Sequence, residues 1–164
     1  PKLGDTVVDL GANDGVLSVL TALAIGAGRV IAIEAQADEC ALIAEHASMN
    51  GVAAVVTPVH GFVGAGGVLA EHPTIHAPAI DLDVLFASMY IEHIALMKID
   101  IEGYEHAALA PFFRDAPKSL WPRAVSMEHL GEKDHVVKLL ADCGDTSHGK
   151  TRTNANFRPP GRGG

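Results

Sequence analysis

The sequence predicts an α/β fold, a doubly wound and mostly parallel sheet with helices on both faces. Three observations predict it. Short β-branched and aliphatic runs, at residues Thr6 to Leu10, Arg29 to Glu34 and Ile94 to Asp100, alternate with longer helix-patterned segments, the order that builds a parallel sheet. These runs are apolar nearly throughout, as strands covered on both faces are. The first of them runs into Gly11-Ala12-Asn13-Asp14-Gly15, a glycine-bracketed turn of the kind that carries a strand into the N-terminus of a helix.

The elements follow in order. After the first strand, Gly15 to Ile25 reads as a helix with Val16, Leu17, Leu20, Leu23 and Ala24 on its apolar face, ended by Gly26-Ala27-Gly28. The second strand is Arg29 to Glu34. Asp38 is expected to cap a helix running to Met49, which Asn50-Gly51 stops, and Ala54 to Val59 makes the third strand. Gly61 to Gly67 reads as a glycine-rich loop, and Val68 to Ala79, with two histidines and two prolines, as a variable connection. Ile94 to Asp100 is the fourth strand, Gly103 to Phe113 a helix, Ala124 to Glu128 the fifth strand and Lys133 to Ala141 another helix. Asp145 to Phe157 reads as a hairpin around His148-Gly149-Lys150. Residues 1–158 form one domain on this reading, and Pro159 to Gly164 a disordered tail.

Composition narrows the function. The 164 residues, 48% of them hydrophobic, suffice for one domain with a real core. Twelve basic residues against 20 acidic ones give a net charge of −8, which argues against a nucleic-acid partner, since a phosphate backbone selects basic patches. No apolar run reaches the ~18 residues of a membrane span and the chain opens without a signal-like segment, so no membrane partner and a cytoplasmic location are expected. Cys40 and Cys143 are read as buried thiols, not as a metal or disulfide framework. The nine histidines lack ligand spacing, and no metal site is assigned to them.

The first turn says which ligand to expect. A dinucleotide fold carries G-x-G-x-x-G, whose middle glycine lets backbone touch a pyrophosphate. Here the spacing is G-x-x-x-G with Asn13 and Asp14 inside it. Two polar side chains, one anionic, suit a ligand bearing an ammonium and a sulfonium better than a pyrophosphate, and S-adenosylmethionine is such a ligand. Glu34, at the end of the second strand and followed by Ala35, stands where a carboxylate would accept from both ribose hydroxyls, a feature that also fits NAD.

Acids recur at the strand ends. Asp9, Glu34, Asp100 and Glu128 each fall at the carboxyl end of an expected parallel strand, so four segments bring carboxylates to one sheet edge. In Met97-Lys98-Ile99-Asp100-Ile101-Glu102, period-two geometry puts Lys98, Asp100 and Glu102 on one face. Lys98 is expected to pair with a carboxylate and fix its position. A helix beginning near Glu102 would carry His106 one turn on. Asp100 and Glu102 together form a D-x-E pair with oxygen ligands for Mg²⁺, although two carboxylates are few for a site.

With these motifs in place the chain resembles the FkbM-type family of S-adenosylmethionine-dependent methyltransferases. The resemblance rests on Val7 to Gly15, Arg29 to Glu34 and above all Lys98-Ile99-Asp100-Ile101-Glu102-Gly103-Tyr104-Glu105, with further matches at Ile80-Asp81-Leu82-Asp83, Met127-Glu128-His129 and Asn154-Ala155-Asn156-Phe157. It implies the class I, Rossmann-like methyltransferase fold, a seven-stranded sheet with an antiparallel C-terminal strand. It also implies O-methylation of a hydroxyl on a sugar or other small molecule or glycan, with S-adenosylhomocysteine as product. Asp9, Gly11, Ala12, Asn13, Asp14 and Gly15 would border the methionine end of the cofactor, Glu34 and Ala35 its ribose, and His60 and Gly61 its adenine. Members usually carry more chain before the first strand, and on this resemblance the acceptor pocket is expected to be incomplete or completed by a partner subunit; the sequence is silent on oligomeric state.

In-line methyl transfer asks for collinear placement of oxygen, methyl and sulfur, and a hydroxyl acceptor gains from a nearby base. Asp100 is the first candidate for that base; Glu102, His106, Glu128 and His129 follow. Three other readings stand beside this one: a cofactor-binding module without catalysis, an NAD-dependent oxidoreductase, and a metal hydrolase using Asp100 and Glu102.

Overall fold

The computed structural model describes residues 1–64, 76–128, 134–143, 146–150 and 154–158. In chain order its elements are β1 (Thr6–Leu10), α1 (Val16–Ile25), β2 (Arg29–Glu34), α2 (Ala37–Met49), β3 (Val56–His60), β4 (Phe62–Val63), β5 (Ala79–Ile80), α3 (Leu82–Ser88), β6 (Leu96–Ile99), α4 (Glu105–Asp115), β7 (Val125–Glu128), α5 (Asp134–Asp142), β8 (Thr146–Lys150) and β9 (Asn154–Arg158). A 3-10 turn lies at Lys118–Leu120.

Seven strands form one sheet in the order β3-β2-β1-β6-β7-β9-β8. The pairs from β3 to β7 are parallel, and β9 runs antiparallel to both of its neighbours. The chain works outward from β1 through β2 to β3 and then returns to lay β6 on the other side of β1. That reversal opens a crevice beyond the carboxyl ends of β1, β2 and β6.

Alternation along the strands sorts residues between two cores. Val8 and Leu10 of β1 join Ile31, Ile33, Met97 and Ile99 beneath α3, α4 and α5. Val7 joins Val30 and Ala32 beneath α1 and α2. Asp9 shares the face of Val7, so its carboxylate points toward α1, a consequence of the two-residue period.

Several expectations from the sequence need correction. In α1 the buried residues are Ser18, Val19, Ala22 and Ile25, whereas Val16, Leu17, Leu20 and Leu23 are 46–58% exposed and Ala24 is exposed as well. The helix carries no charge on any face, so hydrophobicity alone does not orient it; the small Ser18 and Ala22 let it lie close to the sheet, and Ser18 also meets Asp9. Helix α2 starts at Ala37, which puts Asp38 in the first turn and Gln36 at the cap. Part of the expected glycine loop is strand: Phe62–Val63 pairs in parallel with Ala79–Ile80. Helix α4 begins at Glu105, not Gly103, because Glu102 and Gly103 both take positive φ, 47° and 97°. His148, Gly149 and Lys150, expected as the turn of the hairpin, lie in β8, which pairs antiparallel with β9. Helix α3 arises in a stretch for which the sequence reading gave no helix. Residues 65–75, much of the variable connection, and Pro159 to Gly164 fall outside the described residues. Cys40 is buried and Cys143 half-buried, and no disulfide joins them; burial, with Glu34 nearby, pushes the Cys40 thiol upward.

Candidate functional site

The site begins where β1 ends. Asp100 N–H donates to the Leu10 carbonyl, and the N–H groups of Gly11 and Ala12 both donate to Ile33 O, at 3.0 and 3.1 Å, which locks the turn between β2 and β6. Gly11 has φ +74°, and a Cβ there would overlap the Asp100 carbonyl oxygen and lie 2.8 Å from its carbon. Only glycine fits so close a backbone approach. Asn13 also takes a left-handed φ of 51°, which asparagine tolerates better than most residues, and its N–H turns to donate to Glu34 Oε2 at 2.9 Å.

Glu34 is held from two sides. Its other carboxylate oxygen, Oε1, accepts from Gln36 N–H at 2.9 Å, so the buried side chain is fixed before any ligand meets it. Each oxygen keeps a second lone pair for a ligand hydroxyl. The far side of the turn is clamped by His46 of α2, whose Nδ1–H donates to Asp14 O at 2.7 Å. Asp14 Oδ1 in turn accepts from Val16 N–H at 3.2 Å at the start of α1.

Beneath the turn lies a charged cluster. Asp9 Oδ2 accepts from Ser18 Oγ at 2.7 Å, while Oδ1, buried, faces Lys98 Nζ at 3.3 Å. Lys98 Nζ also lies 3.5 Å from Asp100 Oδ2. Burial pushes the Asp9 carboxyl above the usual carboxylate range, against the pull of the Lys98 ammonium and the Ser18 hydroxyl.

These elements wall a cavity of about 500 Å³, within the range of small-molecule sites. Of the residues singled out from sequence, Gly11, Asn13, Glu34, Ala35, Gly61, Asp100 and Glu102 line it. Others stand apart. Asp9 and Ala12 are buried behind the wall, Gly15 packs on Ile43, and Asp14 serves the start of α1. His60 turns its Nε2 to the Ala35 carbonyl, 3.2 Å away, and does not line the cavity. His106 is exposed, its ring 6.3 Å from that of His135. Glu128 is the last residue of β7, and His129 lies outside the described residues.

The sequence reading missed the aromatic part of the wall. Phe62 and Tyr104 meet edge to face, ring centres 4.8 Å apart, and line the cavity with Ile33, Gln36, Val63 and Ile101. Tyr104 lies inside the Lys98–Glu105 motif, and a tyrosine among charges at a strand end was the available signal. Phe62 gave none, because its place depends on the β4–β5 pairing.

Among the described residues, three carboxylates line the cavity and no lysine or arginine does. None of them gathers three or more potential metal ligands, and no helix is long and apolar enough to cross a membrane.

Comparison with known proteins then assigns the family. The model of the methyltransferase FkbM domain matches residues 65–147, just over half of the chain. This chain belongs to the FkbM methyltransferase domain family. The ribosomal protein L11 methyltransferase of Pelotomaculum thermopropionicum is 45% identical to this FkbM domain over 58 residues, 35% of the chain. The chain spans 18% of that relative's length. Among solved structures, the precorrin-6y C5,15-methyltransferase of Geobacter metallireducens superposes with a TM-score of 0.63 at 15% identity, covering 97% of this chain and 82% of the other. The M. capricolum TrmK in complex with S-adenosylhomocysteine does so with 0.65 at 7% identity, covering 96% and 63%. These likenesses show the fold, class I and Rossmann-like.

The residues present in the FkbM domain fit the cofactor such a fold implies, S-adenosylmethionine. The cavity is of ligand size, its acids face a ligand that carries positive charge, and a fixed carboxylate with spare lone pairs stands at the end of β2.

Proposed function

We propose that this domain binds S-adenosylmethionine in the cavity beyond β1, β2 and β6 and transfers its methyl group to a hydroxyl of a sugar or other small molecule. The observation that carries the reading is the wall itself, with Glu34, Asp100 and Glu102 and no cation among its described residues. When bound, the cofactor supplies a methyl on a positively charged sulfur; the oxygen–methyl bond forms as the sulfur–methyl bond breaks, and the product is S-adenosylhomocysteine.

The chain's own residues bind, orient and accept a proton. Glu34, held by the amides of Asn13 and Gln36, meets the ribose hydroxyls, and the Gly11 turn borders the methionine end. Phe62 and Tyr104 close an apolar side of the cavity. Asp100, half-buried at the end of β6, takes the hydroxyl proton, with Glu102 on the next turn as the second candidate; Glu128 and His129 remain further candidates from the sequence. The acidic wall and the net charge of −8 favour a neutral or cationic acceptor over a polyanion.

Calorimetric titration with S-adenosylmethionine and S-adenosylhomocysteine tests the cofactor site. Micromolar binding to the wild type, lost in Glu34→Ala, is expected; a folded wild type that binds neither, or that binds NADH instead, overturns the reading. Asp100→Asn should keep that affinity while S-adenosylhomocysteine release with a panel of hydroxyl acceptors falls at least ~100-fold. Unchanged release would remove Asp100 as the base.

A further inference from the structure

Lys98 has a contact that its sequence motif does not imply. Besides facing Asp9 and Asp100, its Nζ donates to the carbonyl oxygen of Gly11 at 2.9 Å. An ammonium has three protons, and here three acceptors from two strands surround it. Lys98 and Asp9 are register partners on β6 and β1, so the two side chains rise from the same face at the same level. Gly11 and Asp100 both line the cavity, whereas Asp9 lies behind it with its side chain 3% exposed. The ammonium therefore stands just behind the wall and joins two of its parts, the turn after β1 and the carboxylate after β6.

The geometry points to Lys98 as the positioning residue of this site: by holding the Gly11 carbonyl and the Asp100 carboxylate together, it fixes the mutual placement of the two strand ends that receive the ligand. The inference rests on the reading of the cavity as a cofactor site. Its physical basis is pre-organisation: a group already held where the ligand needs it is not ordered at the ligand's expense. Charge-assisted hydrogen bonds to a backbone carbonyl are among the stronger ones available for that purpose. Without the ammonium, the Gly11 carbonyl loses its donor and the Asp100 carboxylate its anchor.

Lys98→Met alone is a poor test, because it strands the buried Asp9 carboxylate without its cation and can unfold the protein for that reason. The informative comparison is Asp9→Asn against Asp9→Asn/Lys98→Met. The Asp9→Asn change keeps an acceptor for Ser18 Oγ, and the double variant leaves no buried unpaired charge at position 9. Three quantities are read on the full chain: the denaturation midpoint, amide hydrogen exchange at Gly11 to Gly15 without ligand, and calorimetric affinity for S-adenosylmethionine and S-adenosylhomocysteine.

The double variant should unfold near the midpoint of Asp9→Asn. Its turn amides should exchange at least ~10-fold faster, and both ligands should bind about 10- to 100-fold more weakly by the same factor, the range of one lost charge-assisted hydrogen bond. Equal exchange and equal affinity in the two variants would overturn the inference and leave Lys98 as a partner of Asp9 alone. A change confined to the sulfonium ligand, in either direction, would overturn it as well, since lost placement weakens both ligands alike. A folded wild type that binds neither ligand defeats the cofactor reading instead, and the exchange rates still decide whether Lys98 holds the turn.

Discussion

Gly11→Ala is the substitution whose cost the structure specifies most closely. Two penalties add. At φ +74° an alanine occupies the left-handed region, at about 1–2 kcal/mol. Its Cβ would also overlap the Asp100 carbonyl oxygen, and at 2.8 Å from the carbonyl carbon it stands roughly 0.7 Å inside the ~3.5 Å at which carbon atoms begin to attract. The obstructing atoms are backbone, tied by Asp100 N–H to the Leu10 carbonyl, so no side chain can rotate away. Overpacking of this kind costs about 1–3 kcal/mol, for a sum of about 2–5 kcal/mol. Gly51→Ala supplies the reference, because Gly51 has φ +70° and nothing within 4 Å of a Cβ. It should show the conformational penalty alone, about 2–8 °C in Tm for a chain of this size, against about 4–20 °C for Gly11→Ala. Because the displaced Asp100 also shapes the cavity wall, affinity for S-adenosylhomocysteine should fall about 100-fold in Gly11→Ala and not in Gly51→Ala. Thermal scans and calorimetry on the two variants decide it; equal Tm shifts would refute the backbone clash on which the construction of the site depends.

Three more outcomes follow from the same contacts. Glu34→Gln must turn an amide NH₂ toward the N–H of Asn13 or Gln36, so both stability and affinity should drop, by about 1–3 kcal/mol and 10- to 100-fold; an unchanged denaturation midpoint would contradict the two-sided grip. Ile25→Ala should cost about 2–4 kcal/mol in chemical denaturation while Leu20→Ala stays within ~0.5 kcal/mol, and the reverse order would mean that α1 is rotated from its described position. For Asp9, burial raises the folded-state carboxyl above its unfolded value, so the folded protein holds that proton more tightly. Its contribution is therefore most favourable at low pH and declines as pH rises from ~3.9 through the higher folded value. The stability of the wild type relative to Asp9→Asn should decline over that interval, and a difference that grows with pH would refute the assignment.

How much of this was legible in the sequence depended on what kind of interaction fixed each part. Parallel strands announce themselves, because burial on both faces demands continuous apolar runs, and β1, β2 and β6 were readable within a few residues. The strand-end acids were readable for the same reason, since the end of an apolar run marks the sheet edge. The orientation of α1 was not: VLSVLTALAI is apolar all round, and what turns Ser18 inward is a hydrogen bond to Asp9 nine residues earlier. Phe62 and the β4–β5 pair escaped because strands of two residues leave no period to detect. His60 was carried into the site by its place at the carboxyl end of β3, yet its ring spends its hydrogen bond on the Ala35 carbonyl.

The charges on the cavity wall and the strained turns around it have one origin. Three carboxylates lining one cavity repel each other and need donors, and two of the described acids have them close by: Glu34 in the amides of Asn13 and Gln36, Asp100 in the Lys98 ammonium of β6 that also holds Gly11. A strand continuing straight past Leu10 would aim its amides sideways into the ladder. The left-handed residues Gly11 and Asn13 break that direction, and the amide of Asn13 reaches Glu34 because of it. Backbone strain at the turn thus goes with a carboxylate already fixed when the ligand arrives. That exchange follows the general pattern in which unfavourable backbone angles are retained where they place a functional group. It also couples two of the acids: Glu34 is held by the turn after β1, and the Lys98 ammonium that holds the Gly11 carbonyl of that turn also faces Asp100.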